Sequence, residues 1–433
     1  MALTFDDLRG KRVGIFGLGV EGQAAIGRVL GLAQSVVLVD DAPCSLQGAL
    51  VTSEGGLQAL RSCDVVLKTP GIPKDRADVK ELQRAGVVMT SGLDLWLHSV
   101  DSASVVAITG TKGKSTTTTV FGHLANGLGI DTLVAGNIGV VPYDQEVRTT
   151  QRLTVLELSS FQVSSLTMSP PLVGITSLGQ DHLDWHGSVE TYIADKLALA
   201  SRPGARLAIV ADTPELRAVA EQLGPRPRFV APTALDGEIA SLLGLVGSHH
   251  RENVAVARAL LEELLGPQQE AHLLAAARGY QPLESRFFQL DSLGDISVID
   301  DSLATNPLPT IAGLAALGDQ TVALIAGGQD RGVDYLPLVE ALAARSAPTY
   351  VACLAEAGAV IAGALSGTTQ LTVEHVATLD EAVDRAVAWL KGRGVLLLSP
   401  AAPSFGQFEN YRERSLVFQR AVDRHREAPT LPH

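Results

Sequence analysis

Short apolar, mostly β-branched runs recur along the chain, each closing on glycine or a polar turn and then on a stretch with helical spacing. Early in the chain these runs are residues 13–16, 36–39, 65–67 and 87–89, with a helix predicted from Gly22. Runs that are apolar throughout suit strands buried on both faces, and their alternation with helices predicts a small doubly wound sheet. A second series begins with residues 105–109 and a helix over 115–128. It continues through strands at 153–158 and 173–176 and a helix carrying Tyr192 and Lys196. After a helix that reaches Leu265, strands at 296–299, 321–325, 348–351 and 395–398 again alternate with helices. The pattern predicts an α/β protein of three domains: a Rossmann-like domain over 1–101, a central P-loop ATPase-like parallel-sheet domain over 102–282 and a second Rossmann-like domain over 283–433. At 433 residues the chain is too long for one core, which fits that division.

The richest turn is Gly110-Thr111-Lys112-Gly113-Lys114-Ser115-Thr116, between the run at 105–109 and the next helix. Glycines let the backbone curl so that its N–H groups face inward, and the helix start favours an anion. Lys114 can reach terminal phosphates, and the Ser115 or Thr116 hydroxyl can ligate Mg²⁺. The strict pattern has a glycine where this chain has Ile108, so the match is a shorter variant, and an ordinary glycine-rich turn remains open. These features suit ATP.

Gly17-Leu-Gly19-Val20-Glu21-Gly22 is a full Gly-x-Gly-x-x-Gly after a strand, and Asp40 closes the next strand where a ribose-binding acid would sit. A dinucleotide is the first reading. The same fingerprint holds any diphosphate, and two phosphate loops in different domains suit a nucleotide-diphosphate substrate beside ATP. Lys68-Thr-Pro-Gly71-Ile-Pro is either a ligand contact or a plain strand-end loop. In the central segment, Gly136-Asn137 precedes a strand ending in Glu157-Leu-Ser-Ser-Phe-Gln162. A later strand leads into Asp181-His182-Leu-Asp184-Trp-His186. Each polar residue could cap a turn, but carboxylates and imidazoles beside a phosphate loop suit Mg²⁺ held between protein and triphosphate. In the third domain the loops at 300–307, 327–331 and 399–408 follow strands, where ligands of open α/β sheets bind.

Composition narrows the function classes. A net charge of −13 argues against nucleic-acid binding and leaves small molecules as partners. No apolar run approaches about 18 residues and no basic-then-apolar leader opens the sequence, so a cytoplasmic protein without a membrane span is expected. Cys44, Cys63 and Cys353 are too scattered for a disulfide framework or metal knuckle.

These motifs resemble the Mur ligase superfamily, the ATP-dependent amide-forming enzymes of peptidoglycan precursor synthesis, with folylpolyglutamate synthase as a relative. The residues that carry the resemblance are Thr109 to Thr116, Asp181-His-Leu-Asp with Lys196 downstream, and Asp301-Ser-x-Ala-Thr-Asn306. Glu157 to Gln162, with Gly136-Asn-Ile-Gly139 and the glycine-rich first domain, resembles the D-glutamate-adding branch. The resemblance implies that D-glutamate is joined to UDP-N-acetylmuramoyl-L-alanine through an acyl phosphate, with release of ADP and phosphate, by a monomer. It implies catalytic roles for Lys114, His182 and Lys196, and two Mg²⁺ sites held by Ser115, Glu157, His182 and Lys196, the last as a carbamate formed with CO₂. Gly110 to Thr116, Asn253, Arg286 and Asp301 would meet ATP. Gly17, Gly19, Val20, Glu21, Gly22, Asp40, Gly71, Asn137 and His182 would meet the UDP-substrate. Thr305, Arg331, Ser404 and Tyr411 would meet the amino acid. His250, Ala42, Leu303 and Gly406 depart from the family pattern. Leu303 replaces a lysine, which bears on the acceptor and leaves the ATP and metal chemistry intact. A nicotinamide-dependent oxidoreductase and a nucleotide-binding regulator without turnover are the rival readings.

Overall fold

A computed structural model describes residues 3–427 apart from 45, 139, 146, 148–152, 182, 225–226, 246, 281–284, 286, 331–333, 369 and 405. Three separate sheets form. The first holds β1 (Arg12–Phe16), β2 (Ser35–Asp40), β3 (Leu50–Val51), β4 (Val65–Lys68) and β5 (Val88–Thr90), all parallel, in the order β3-β2-β1-β4-β5. The chain builds outward from β1 on one side and then crosses to β4 on the other, so the strand order reverses between β1 and β4. A crevice outside the carboxyl ends of those two strands is the place such a sheet offers to a ligand. Phe16, Val39, Leu60, Val66, Val79 and Leu82 are buried in one cluster, which fixes the helices on that face.

The second sheet holds β6 (Val105–Thr109), β7 (Thr132–Gly136), β8 (Leu153–Glu157), β9 (Leu172–Ile175), β10 (Leu207–Ala211) and β11 (Pro227–Val230), ordered β11-β10-β9-β6-β8-β7 and parallel throughout. All five residues of β6 are buried, as the unbroken apolar run requires of a central strand covered on both faces. The third sheet holds β12 (Phe288–Leu293), β13 (Asp295–Asp300), β14 (Val322–Gly327), β15 (Thr349–Leu354), β16 (Leu371–Val376) and β17 (Arg393–Leu398), ordered β12-β13-β17-β14-β15-β16. β12 is an antiparallel edge, paired through a register shift between Leu290 and Leu293. Buried clusters lie on both faces of this sheet.

The chain forms two compact units. One runs to Leu242 and includes His250–Tyr280, so it contains the first two sheets; the other comprises Leu243–His249 and Gln281–His433 and contains the third. The strands the apolar runs predict all form. The helix expected from Gly22 starts at Val20, and the one expected over 115–128 spans Lys114–Gly127. β10, the apolar run LAIVA, is absent from the sequence expectation although its signal is comparable, whereas β3, β7, β11, β12 and β16 carry a weaker one. β12 and β16 are edge strands with a half-exposed pattern, and β7, TLVAG, is short and Gly-terminated.

Candidate functional site

β6 ends in the phosphate-type loop and feeds the helix Lys114–Gly127. Gly110 (φ 149°) and Gly113 (φ 81°) occupy backbone conformations that L side chains avoid. A Cβ at Gly110 would lie 2.1 Å from Thr176 Oγ1, and one at Gly113 2.2 Å from Asn253 Oδ1. The loop is therefore clasped from two sides. The Lys112 N–H donates to Ser177 Oγ (2.7 Å), Gly179 N–H donates to Thr111 Oγ1 (3.0 Å), and the Tyr192 hydroxyl donates to the same oxygen (2.9 Å). Lys114 Nζ lies over the loop and donates to the carbonyls of Gly110 (2.9 Å) and Thr111 (3.1 Å). Ser115 and Thr116 are buried at the first turn of the helix, and Lys112 pairs with Asp181 at 3.3 Å. Asn253, on the helix Ser248–Leu265, meets the loop at Gly113.

Lys196 is 2% exposed and donates to Gly110 O at 2.9 Å. Burial, and after it the charge of Lys114, hold its pKa well below the usual lysine range, while Asp181 and Glu157 pull the other way. Tyr192, one turn earlier, lies under Lys196 Nζ with its ring centroid 4.7 Å away. Glu157 ends β8, the strand paired with β6, with Ile108 opposite Glu157. Its Oε1 accepts from Asn137 Nδ2 at 2.6 Å, and its buried Oε2 has no hydrogen-bond partner among the described residues. A carboxylate oxygen so placed, beside a phosphate loop and the Ser115 helix start, has the chemistry of a divalent-cation ligand. Among the described residues no group of three or more His, Cys, Asp or Glu gathers into a cage. His182 lies outside the described residues, as do Arg286 and Arg331.

In the first sheet, Gly17 (φ 93°) packs on Thr69, and a Cβ at Gly22 would fall 2.0 Å from Gly17 O. Gly19 and Gly71 face open space, and Val20 is 68% exposed. Two of the residues expected to meet the UDP-substrate have partners within the protein. Asp40 accepts from Leu18 N–H at 2.6 Å and from Ala42 N–H at 3.2 Å, so its first task is to hold the glycine loop. Glu21 accepts from Gln162 Nε2 (2.7 Å) and Tyr143 OH (3.3 Å), both from segments that flank the second sheet, and burial raises its pKa. Glu21 is thus a pin between sheets, because a helix residue two past the N-cap points along the flank of the loop.

In the other unit, Asp301 N–H donates to Leu398 O (2.7 Å), Gly327 N–H to Pro400 O (2.7 Å) and Gln329 N–H to Pro403 O (3.0 Å), so the three loops singled out in the sequence are stitched together at the carboxyl ends of β13, β14 and β17. Thr305 and Ser404 lie in two of them, and Tyr411 opens the helix Tyr411–Glu427. Asp301 acts as a brace, its carboxylate accepting from Phe287 N–H (3.0 Å) and Ser399 Oγ (2.7 Å). The sequence reading missed Arg414, 1% exposed, which donates to the carbonyls of Ala402 and Ser302 beneath these loops. A charged helix position gives no sign of burial from periodicity alone. Ser177 was missed as well, in a loop just past the end of β9.

A P-loop strand with a neighbouring strand-end carboxylate and a buried lysine, beside a second glycine-rich sheet, defines a nucleotide-dependent ligase or transferase of α/β class. Comparison with known proteins gives the family. Residues 108–231 match the Mur ligase middle domain, and residues 285–402 match the Mur ligase, glutamate ligase domain. The chain is 35% identical to UDP-N-acetylmuramoyl-L-alanine--L-glutamate ligase of Salinispora tropica, over 97% of this chain and 99% of the relative. It is 36% identical to the protein of the same name in a Micromonospora species (97% and 98%) and 32% identical to UDP-N-acetylmuramoylalanine--D-glutamate ligase of Desulfitobacterium hafniense (98% and 100%). Its fold is similar to that of the MurF ligase of Thermotoga maritima, solved with ADP, with a TM-score of 0.58 at 15% identity over 98% of this chain and 97% of the other. The chain belongs to the Mur ligase family, the ATP-dependent amide-forming ligases of peptidoglycan precursor synthesis. Family membership sets aside the oxidoreductase reading of Gly17 to Gly22. No helix among the described residues is long and apolar enough to cross a membrane.

Proposed function

We propose that this enzyme joins glutamate to UDP-N-acetylmuramoyl-L-alanine. A carboxylate does not react with an amine, because oxide is a poor leaving group. The substrate carboxylate oxygen first attacks the γ-phosphorus of ATP, and ADP departs. The amine nitrogen of glutamate then attacks the acyl carbon; phosphate leaves and the nitrogen loses its proton. Lys114 neutralises the γ-phosphate as it transfers, which is the principal electrostatic task in phosphoryl transfer. Bound Mg²⁺ adds charge neutralisation and orients the phosphates; Ser115 and Glu157 are the residues that would hold one ion, His182 and carbamylated Lys196 a second. Gly17 to Gly22, Gly71 and Asn137 receive the UDP-substrate, Asn253, Arg286 and Asp301 the ATP, and Thr305, Arg331, Ser404 and Tyr411 the amino acid. The observation that carries this reading is the placement of Glu157, with its unpartnered Oε2, on the strand beside the Gly110–Ser115 loop.

The enantiomer of glutamate divides into two readings. D-Glutamate is the acceptor that the motifs imply and that the Desulfitobacterium relative's name gives. L-Glutamate is favoured by a specific observation: the Salinispora and Micromonospora relatives, more similar to this chain, are named for it. Leu303, in place of a family lysine near the acceptor loops, agrees with an altered acceptor site. The test is coupled ADP release with UDP-N-acetylmuramoyl-L-alanine and each enantiomer in turn. Release that needs both donor and glutamate, with at least a tenfold preference for one enantiomer, is the expected outcome. Equal release without the donor, or none with either enantiomer, would overturn the function.

A further inference from the structure

Lys68 is the last residue of β4, opposite Phe16 at the end of β1, so it stands at the point where the first sheet reverses its strand order. Its side chain is 5% exposed, which is unusual for lysine. The ammonium donates to Ile72 O (2.6 Å), Thr69 O (3.3 Å) and Ser165 Oγ (3.2 Å). All three protons are used and every acceptor is neutral. A buried cation with no carboxylate in hydrogen-bond contact is costly, and sequences tolerate that where an anion comes to meet the charge. The turn that Lys68 ties together, Thr69 to Ile72, packs on Gly17 of the glycine loop, and a Cβ at Gly71 or Gly19 would meet open space, although the Gly71 carbonyl accepts from Trp185 Nε1 at 3.4 Å. The two loops form one rim outside β1 and β4.

From this geometry we propose that Lys68 is a positioning and charge-supplying residue for the diphosphate of the uridine nucleotide. It folds the Thr69–Ile72 turn against the Gly17–Gly22 loop and provides the positive field behind it. The inference rests on the reading that the first sheet receives the UDP-substrate. Lys74 and Arg76 lie near enough to add to that field, but each is engaged by carboxylates: Lys74 by Asp195 at 2.6 Å, and Arg76 by Asp41 and Asp78. Lys68 has only the more distant Glu21 to offset it, and burial lowers its pKa to about 8.

The experiment is calorimetric titration of the full-length enzyme with UDP and with uridine, for the unaltered protein, Lys68→Met and Lys68→Arg. Lys68→Met should weaken UDP at least tenfold and uridine less than twofold, and Lys68→Arg should recover part of the UDP affinity. In the unaltered protein, UDP affinity should fall more steeply than uridine affinity between pH 7.5 and 9.5, since the nucleotide phosphates no longer titrate there and the uracil N3 proton is lost alike from both ligands. This second measurement stands even if Lys68→Met fails to fold. Equal loss of UDP and uridine in Lys68→Met, or pH profiles for UDP and uridine that run parallel, would reduce Lys68 to a structural staple and overturn the proposal. Absence of UDP binding to the unaltered protein would instead overturn the assignment of the first sheet.

Discussion

Lys196 shows how burial changes the chemistry of one side chain. In water a lysine amine is almost wholly protonated at neutral pH, and only the neutral amine combines with CO₂. Here the ammonium is buried against Gly110 O with Lys114 nearby, and both effects disfavour the charged form. A carbamate on Lys196 would be an anion, so its formation would convert repulsion from Lys114 into attraction and create oxygens able to hold Mg²⁺. Enzyme purified in CO₂-free buffer should lose at least tenfold in rate and regain it on addition of bicarbonate. Lys196→Ala and Lys196→Arg should stay inactive in both, and a ¹³C carbamate signal should appear only in the unaltered enzyme. Full activity of either variant would reject the role.

Among elements, the glycine loop after β1 is set by backbone contact more than by side chains. Gly22 lies in the first turn of the helix Val20–Val29, and the space its missing side chain leaves is filled by the Gly17 carbonyl. Gly22→Ala must push that carbonyl, and with it Thr69, outward by more than the packing allows, at a cost of about 1–3 kcal/mol. The expected result is a lower urea midpoint together with a raised KM for the UDP-substrate, since strand-to-helix packing and loop shape are one feature. Gly19→Ala, facing open space, should leave the urea midpoint within experimental error. A Gly22→Ala protein with unchanged stability and KM would show that the loop yields where the contact distances say it cannot.

On the scale of the whole molecule, the first two sheets belong to one compact unit, and polar pins join them. Asp94, 4% exposed, accepts from both the N–H (2.7 Å) and the hydroxyl (2.9 Å) of Thr167. Gln162 reaches Glu21, and Lys74 reaches Asp195, whose other oxygen meets His186 at 3.0 Å. Such bonds hold only if both partners are present, because a buried donor left alone keeps its desolvation cost. Asp94→Ala should therefore destabilise this unit by about 2–4 kcal/mol in urea unfolding. Asp94→Asn, which keeps one acceptor, should cost less. A change below about 0.5 kcal/mol for Asp94→Ala would mean that the pin carries no stability.

The sequence alone determined the class of this protein. Apolar runs fixed the central strands, because a strand covered on both faces must be apolar throughout, and glycine spacing fixed the two phosphate-type loops, because only glycine suits Gly17, Gly110 and Gly113 as they stand. Local chemistry also marked Glu157, the family resemblance marked Lys196 and Asn253, and the structure brings all three to the loop that begins at Gly110. Other outcomes needed the tertiary structure. β12, β16 and β3 form because a neighbouring strand offers hydrogen bonds, and pairing of that kind leaves little trace in periodicity. Asp40 and Glu21 are diverted to backbone and cross-sheet partners by contacts with Leu18, Tyr143 and Gln162, the last two far away in sequence. Arg414 reads as an ordinary charge, and the Lys68 turn as a ligand contact or a plain loop, until folding buries both side chains, since the cost and use of a charge depend on what surrounds it, and that is decided by residues from distant parts of the chain.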